Sequence, residues 1–448
     1  MRRSDLVPKI MIQKGDSITA QSNVMGWQPN MLADGVDYKQ QLARNYYVQF
    51  TVNKMITQAD FSFINASYQQ FTGGSSPIYL NAGLNAFVMV GIHDLFENYR
   101  ISGGFRVAFD LSGTEFMLSY ENLKRRLDHQ VVIYRQAIKE SVAEGLIKQH
   151  SNCLFYIMKY PLNRHNTIHL TLSGRYETFI TGSVSDQSLR KPNENKVWGG
   201  LNLSYIFDSS KELFTNLWRG SKIKVWVEYN QCLATFNEKL KYGKVNLFVV
   251  GFDIRKSVKV YKNMAWATRL AGSTNFGTAR LAYYMGGVDS WMFAKFNREN
   301  WTDLSKNYAY QTLATNMRGF EQNIRNGTSF LLLTTELRVP FVQLIAGRQL
   351  SNKILNSLQF LVFGEIGTAW TGITPYSKDN CLYTRWVDAG NITAKVSRQV
   401  DPWVEGFGMG LRASLFGYFM RFDYAWGLEN MKIYKKNGMF MFSLGLDF

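Results

Sequence analysis

KIKVWVEYN, residues 222–230, alternates without a break. Ile223, Val225, Val227 and Tyr229 fall on one parity, and Lys224, Trp226, Glu228 and Asn230 on the other. Successive side chains of an extended strand point to opposite faces, so this stretch is a strand with one apolar and one polar face. The same period continues in both directions. TIHLTLSGRYET (167–178) sets Ile168, Leu170, Leu172 and Tyr176 against His169, Thr171, Ser173, Arg175 and Glu177. NYYVQFTVN (45–53) sets Tyr46, Val48, Phe50 and Val52 against Tyr47, Gln49, Thr51 and Asn53. GYFMRFDYAW (417–426) sets Tyr418, Met420, Phe422 and Tyr424 against Phe419, Arg421 and Asp423.

About sixteen such segments span the chain, near 44–57, 83–94, 97–110, 113–124, 127–138, 147–160, 164–178, 195–208, 220–234, 244–255, 258–271, 328–342, 357–370, 404–414, 416–426 and 438–448. Many are joined by short turns such as FEN at 96–98 and LSG at 111–113. Most segments exceed the five or six residues, roughly, of a globular strand, and they match the about nine to eleven residues of a tilted membrane crossing. Aromatics gather near segment ends, at Tyr46-Tyr47, Tyr418-Phe419 and Tyr424-Ala425-Trp426, where interfacial girdles sit. Soluble sandwiches have shorter strands, and a propeller would show a repeat of about forty residues, which is absent. A helix fits only RQAIKESVAEGLIKQ at 135–149, which reads equally as the extension of two strands. The expectation is an all-β, 16-stranded antiparallel transmembrane β-barrel over residues 44–448. A closed sheet satisfies every backbone polar group in lipid. Residues 1–43 are an N-terminal segment, a periplasmic remnant or linker.

Composition agrees with a membrane barrel. Of 448 residues, 46% are hydrophobic, only 19% charged and 15% aromatic. No run of eighteen or so apolar residues is present, so no transmembrane helix is expected. No secretory signal peptide is visible, which points to a fragment or processed form. Cys153, Cys232 and Cys381 have neither disulfide-framework nor zinc spacing. The net charge of +17 raises the possibility of nucleic-acid binding, but the basic residues are scattered, often at every second position. That pattern suits a polar lumen better than a phosphate-binding stripe, and no nucleic-acid partner is expected.

LATNMRGFEQNIRNGTSF (313–330) breaks the strand pattern with a polar, Asn- and Gly-rich loop. Its core, Met317-Arg318-Gly319-Phe320, resembles the arginine-glycine-aromatic motif of the BamA/TamA-type outer-membrane assembly barrels, the bacterial surface antigen family. AYYMGGVDSW (282–291) resembles the Gly-Gly segment that introduces the family's loop, and VFGEIGTAW (362–370) the strand that receives the arginine. GFGMGLRASLFGYFMRFDYAWGLE (406–429) and the ending FSLGLDF (442–448) resemble the last three strands. The upstream half resembles Bacteroidota members, some of them fused to a TolB-like propeller. The receiving strand of the family normally carries aspartate, whereas this chain has Glu365, one methylene longer.

The resemblance implies that the loop folds into the lumen and that Arg318 reaches the receiving strand. Alternation places Phe360, Val362 and Ile366 on the lipid face, and Gln359, Phe363, Glu365 and Gly367 on the lumenal face. Phe363 offers a flat surface for the guanidinium, Glu365 a carboxylate, and Gly367 room for the loop. At the C-terminus, Phe440, Phe442, Leu444, Leu446 and Phe448 share one face. The resemblance makes Phe448 an assembly signal and implies a weak seam between the first and last strands. Gly445 interrupts the polar face and marks a bend there. An unpaired edge is a template for a client strand.

The expected activity is therefore insertion or translocation of unfolded client polypeptides in the bacterial outer membrane. Lipid and lipopolysaccharide surround the barrel, and periplasmic accessory domains or lipoproteins are possible partners. A passive diffusion pore or a surface-exposed receptor barrel is the alternative. No enzyme is expected, and no cofactor. The five histidines, His93, His129, His150, His165 and His169, have no acid partner at metal-ligand spacing, and no Gly-rich phosphate loop precedes a helix.

Overall fold

The structure is a computed structural model that describes residues 48–56, 68–71, 85–108, 113–142, 145–182, 193–214, 217–237, 239–241, 245–300, 302, 306–346, 353–378, 380–388, 393–415 and 418–444. The chain separates into Met1–Gln49 and Phe50–Phe448, and the sheet described below belongs to the second unit. The 1–43 segment, Tyr46, Gly445, Leu446 and Phe448 lie outside the described residues.

Long strands dominate. In chain order they are β1 (Phe50–Ile56), β2 (Asn85–Asp94), β3 (Tyr99–Ala108), β4 (Gly113–Asn122), β5 (Asp128–Val142), β6 (Gly145–Pro161), β7 (Asn166–Thr181) and β8 (Glu194–Asp208). They continue as β9 (Leu217–Asn237), β10 (Asn246–Lys259), β11 (Ala265–Gly277), β12 (Ser329–Val339), β13 (Gln359–Trp370), β14 (Val404–Leu415), β15 (Tyr418–Glu429) and β16 (Met439–Leu444). Each pairs antiparallel with the next. With three pieces of two to four residues, Lys211–Phe214, Lys239–Lys241 and Lys432–Ile433, they form a 19-stranded sheet. Among the described residues the ladder runs from β1 to β16, and no pairing joins its two ends.

Several segments differ from the alternation reading. The expected strand at 258–271 is displaced: Lys262 adopts a left-handed φ of 45° inside a turn closed by Val260 N–H on Met264 O, so β11 begins only at Ala265. The 135–149 stretch is strand on both sides, paired down to Val142 and Gly145. A hairpin of Leu382–Asp388 and Thr393–Gln399, between β13 and β14, has no counterpart in that reading.

The outward parity of the strands is apolar and exposed, and the inward parity buries polar and charged side chains among apolar ones. Along β4, Glu115 and Ser119 are buried while Phe116, Leu118 and Tyr120 are exposed. Along β9, Glu228 is buried while Val225 and Val227 are exposed; Val227 lies opposite Leu203 of β8 and Val250 of β10. Water rewards the opposite arrangement, since apolar area exposed to it costs about 25 cal/mol per Å2. On the outward parity Phe407 stacks on Trp426 and Phe422 on Phe442. Phe419 is not part of any girdle: its parity is that of Arg421 and Asp423, and it is buried on the inner face.

Candidate functional site

The connection from β11 to β12, residues 278–328, covers the inner face. Its segment Arg280–Met285 runs parallel to Tyr308–Leu313 and antiparallel to Arg325–Gly327; Tyr308–Leu313 also pairs with Gln69–Gln70. The small sheet is pinned to the large one. Asn275 of β11 donates Nδ2 to Leu281 O and Thr328 O at 2.7 Å, and the Tyr310 hydroxyl donates to Glu177 of β7 at 3.1 Å.

Left-handed backbone positions turn this loop back on itself. Gly286 and Gly287 have φ of 116° and 72°, and Asn323 has φ of 66°. These are residue types that enter that region at low cost. Asn323 is held by reciprocal amide bonds with buried Asn300: Asn323 Nδ2 donates to Asn300 O, and Asn300 Nδ2 to Asn323 O, each at 2.7 Å. Gly287 and Met317 form a β-bridge, so the Gly-Gly turn presents Arg318.

Arg318 is 4% exposed. Its Nε donates to Glu365 Oε1 at 2.7 Å, and its backbone N–H to Glu365 Oε2 at 2.6 Å. Nη2 donates to Glu336 Oε1 at 2.6 Å, and Nη1 lies 3.5 Å from Asp423 Oδ1. The guanidinium carbon sits 3.5 Å from the centroid of the Phe363 ring. Arg338 pairs with Glu336 at 2.7 Å and Arg412 with Asp423 at 3.0 Å. Three guanidinium groups and three carboxylates thus neutralise one another on the inner faces of β12 to β15. Burial alone would lower the Arg318 pKa, but Glu365, Glu336 and Asp423 outweigh it and raise it, so the charge is permanent. Such a group can anchor; it cannot act as a proton donor.

The neighbours of Arg318 are equally constrained. Gly319 has φ of 88°, and a Cβ there would stand 2.6 Å from the Trp426 carbonyl carbon and 2.7 Å from Gly427 N, both in β15. Phe320 is fully buried, with its ring 5.3 Å from that of Tyr434. The Tyr434 phenol is pushed up to about 12 by burial, with Glu321 beside it adding to the shift. Gly319→Ala is therefore expected to dislodge the loop: the left-handed backbone costs a non-glycine residue about 1–2 kcal/mol before the clash is counted. Limited trypsin digestion of the folded protein, cutting at Arg318 or Arg325, which are buried while the loop is seated, would reveal the release; a Gly319→Ala protein as resistant as its parent at these sites would refute the close approach.

The structure brings Met317, Arg318, Gly319, Phe320, Phe363, Glu365 and Gly367 into one cluster. A Cβ at Gly367 would meet Met285 Sδ at 3.1 Å, so the glycine makes space for the incoming loop. Gly445 and Phe448 lie outside the described residues, as does the C-terminal bend. Sequence reading missed Glu336, Arg338, Arg412 and Asp423. Their parity on each strand was readable, but their meeting depends on the registers Glu336↔Phe363 and Arg412↔Arg421, which alternation does not fix. Among the described residues no group of three His, Cys, Asp or Glu side chains could hold a metal ion.

No family model matches the chain, and no curated protein does. Among solved structures it is similar to BamA from Haemophilus ducreyi lacking POTRA domains 1–3, with a TM-score of 0.49 and 12% identity, covering 81% of this chain and 68% of that one. It is also similar to CdiB from Acinetobacter baumannii, at 0.44 and 11%, covering 81% and 56%. CdiB from Escherichia coli is a third, at 0.42 and 10%, covering 90% and 67%. The chain thus spans from just over half to about two thirds of the length of these chains.

Proposed function

We propose that this chain is an outer-membrane β-barrel of the BamA/TamA type that inserts or translocates unfolded polypeptides through a seam between its first and last strands. The reading is carried by one observation: a sheet with an exposed apolar outer face keeps its own loop fixed against the charged groups of its inner face through buried Arg318. The exposed apolar parity faces lipid, and the sixteen long strands are its crossings. A diffusion pore needs an open lumen and gains nothing from filling it with a sheet anchored by a six-charge cluster. The work is done by backbone rather than by a catalytic side chain. A client strand adds to the free edge of β16, gains ladder hydrogen bonds, and leaves sideways into the bilayer.

Reconstitution tests this. The purified chain is placed in phospholipid vesicles, and an urea-unfolded small outer-membrane barrel is added as client. The chain is expected to speed client folding, measured by heat-modifiable gel mobility, at least tenfold over empty vesicles. A rate equal to that of empty vesicles, with free passage of small solutes through the reconstituted chain, would favour the pore instead.

A further inference from the structure

One short contact of the 278–328 loop involves β16 rather than the Arg318 cluster. Trp291 forms an antiparallel β-bridge with Ser443, and Met292 N–H donates to Phe442 O at 2.9 Å. A strand has two edges. The inward ladder of β16 is taken by β15, through Arg421↔Ser443 and Phe422↔Phe442. The bridge to Trp291 therefore occupies the other edge, the one a neighbour closing the barrel or an incoming strand would use. The contact is built rather than grazing. Trp291 is 1% exposed and packs with Val288, Met439 and Met441. Asp289 accepts from Arg421 Nη2 at 2.8 Å and from Asn316 Nδ2 at 2.5 Å, which ties the segment to β15 on one side and to the Met317–Arg318 turn on the other. Ser290 adopts a left-handed φ of 50°, which swings the chain into the bridge.

We infer that residues 290–292 are a resident edge strand: a built-in occupant of the free edge of β16 that an extended client segment must displace before it can pair. The inference rests on the insertion reading above and adds its regulation. Between clients the edge is occupied at Phe442 and Ser443 by the chain itself, which keeps that stretch from templating unwanted pairing. A client gains the edge by matching more than one ladder bond and one bridge, so short or poorly alternating segments are rejected. Because Asp289 is hydrogen-bonded to Asn316, two residues before Arg318, displacement is felt at the Arg318 anchor.

The test places Trp291→Cys and Ser443→Cys together in a chain lacking Cys153, Cys232 and Cys381, reconstituted in phospholipid vesicles. Residues paired this way are of the closer, non-hydrogen-bonded kind, with Cα atoms about 4.5 Å apart and within disulfide reach. Phe422→Cys with Phe442→Cys, across the β15–β16 ladder, is the control for oxidation. The 291–443 disulfide is expected to form in the resting protein without client. Its absence while the control pair closes overturns the resident edge. Once formed, it is expected to slow folding of the same small barrel client at least tenfold, reversibly on reduction. Equal rates for locked and reduced protein overturn displacement but leave insertion standing. Met292→Pro removes the N–H given to Phe442 and is expected to speed client folding about fivefold, the worth of one hydrogen bond of typical net strength; a slower rate in a normally folded variant counts against the proposal. If even the cysteine-free parent folds no client, the insertion reading falls, and the resident edge is then decided by the disulfide alone.

Discussion

Arg318→Ala is expected to free the loop from β12, β13 and β15 while the long ladder stays folded. The substitution leaves Glu365, Glu336 and Asp423 buried with only Arg338 and Arg412 to balance them. Removing one partner of a buried charged group costs about 3–5 kcal/mol. Glu365→Ala should cost less, because Arg318 keeps Glu336 and Asp423, and Glu365→Gln less again, because its amide oxygen still accepts from the Arg318 backbone N–H. The double variant Arg318→Ala/Glu365→Ala should be little worse than Arg318→Ala alone, with a coupling of about 1–3 kcal/mol. Urea unfolding in vesicles gives the energies, and trypsin sensitivity at Arg325, buried while the loop is seated, reports the loop. Additive losses in the cycle would contradict the direct contact.

Val227→Arg is expected to cost about 2–4 kcal/mol of folding free energy in a bilayer, the depth-dependent price of a cation at the middle of the lipid face of a barrel. Val227 is 47% exposed, at the centre of β9, beside Leu203 at 50%. On a water-facing sheet such a position would tolerate arginine to within about 0.5 kcal/mol. Val260→Arg, in the turn before β11, is the companion, and is expected to change little. The difference between the two variants, measured by the same urea titration in vesicles, separates a lipid face from a solvated one. Equal small effects would place both residues in water.

Much of this was legible in the sequence because parity is local. The alternation of KIKVWVEYN or of Phe360, Val362 and Ile366 against Phe363, Glu365 and Gly367 needs only neighbouring residues, and the structure assigns those parities to its exposed and buried faces. Turns were less legible. Lys262 carries a left-handed backbone without a glycine to signal it, so the strand at 258–271 was displaced to Ala265–Gly277. The small sheet of Arg280–Met285 and Tyr308–Leu313 escaped notice because parallel pairing across a loop has no local signature. The charge cluster was half visible. Arg318 and Glu365 stand in recognisable motifs, whereas Glu336 and Asp423 reach the guanidinium only through ladder register.

A disulfide staple tests the proposed lateral opening most directly. Cysteine pairs are scanned across residues 44–57 and 438–448 in a chain lacking the free Cys153, Cys232 and Cys381. Pairs that close under oxidation staple the first strand to the last. The stapled barrel in vesicles is expected to lose client folding and to regain it when the disulfide is reduced. A stapled barrel that folds client as well as the reduced one would contradict lateral opening and leave the passive pore as the better reading.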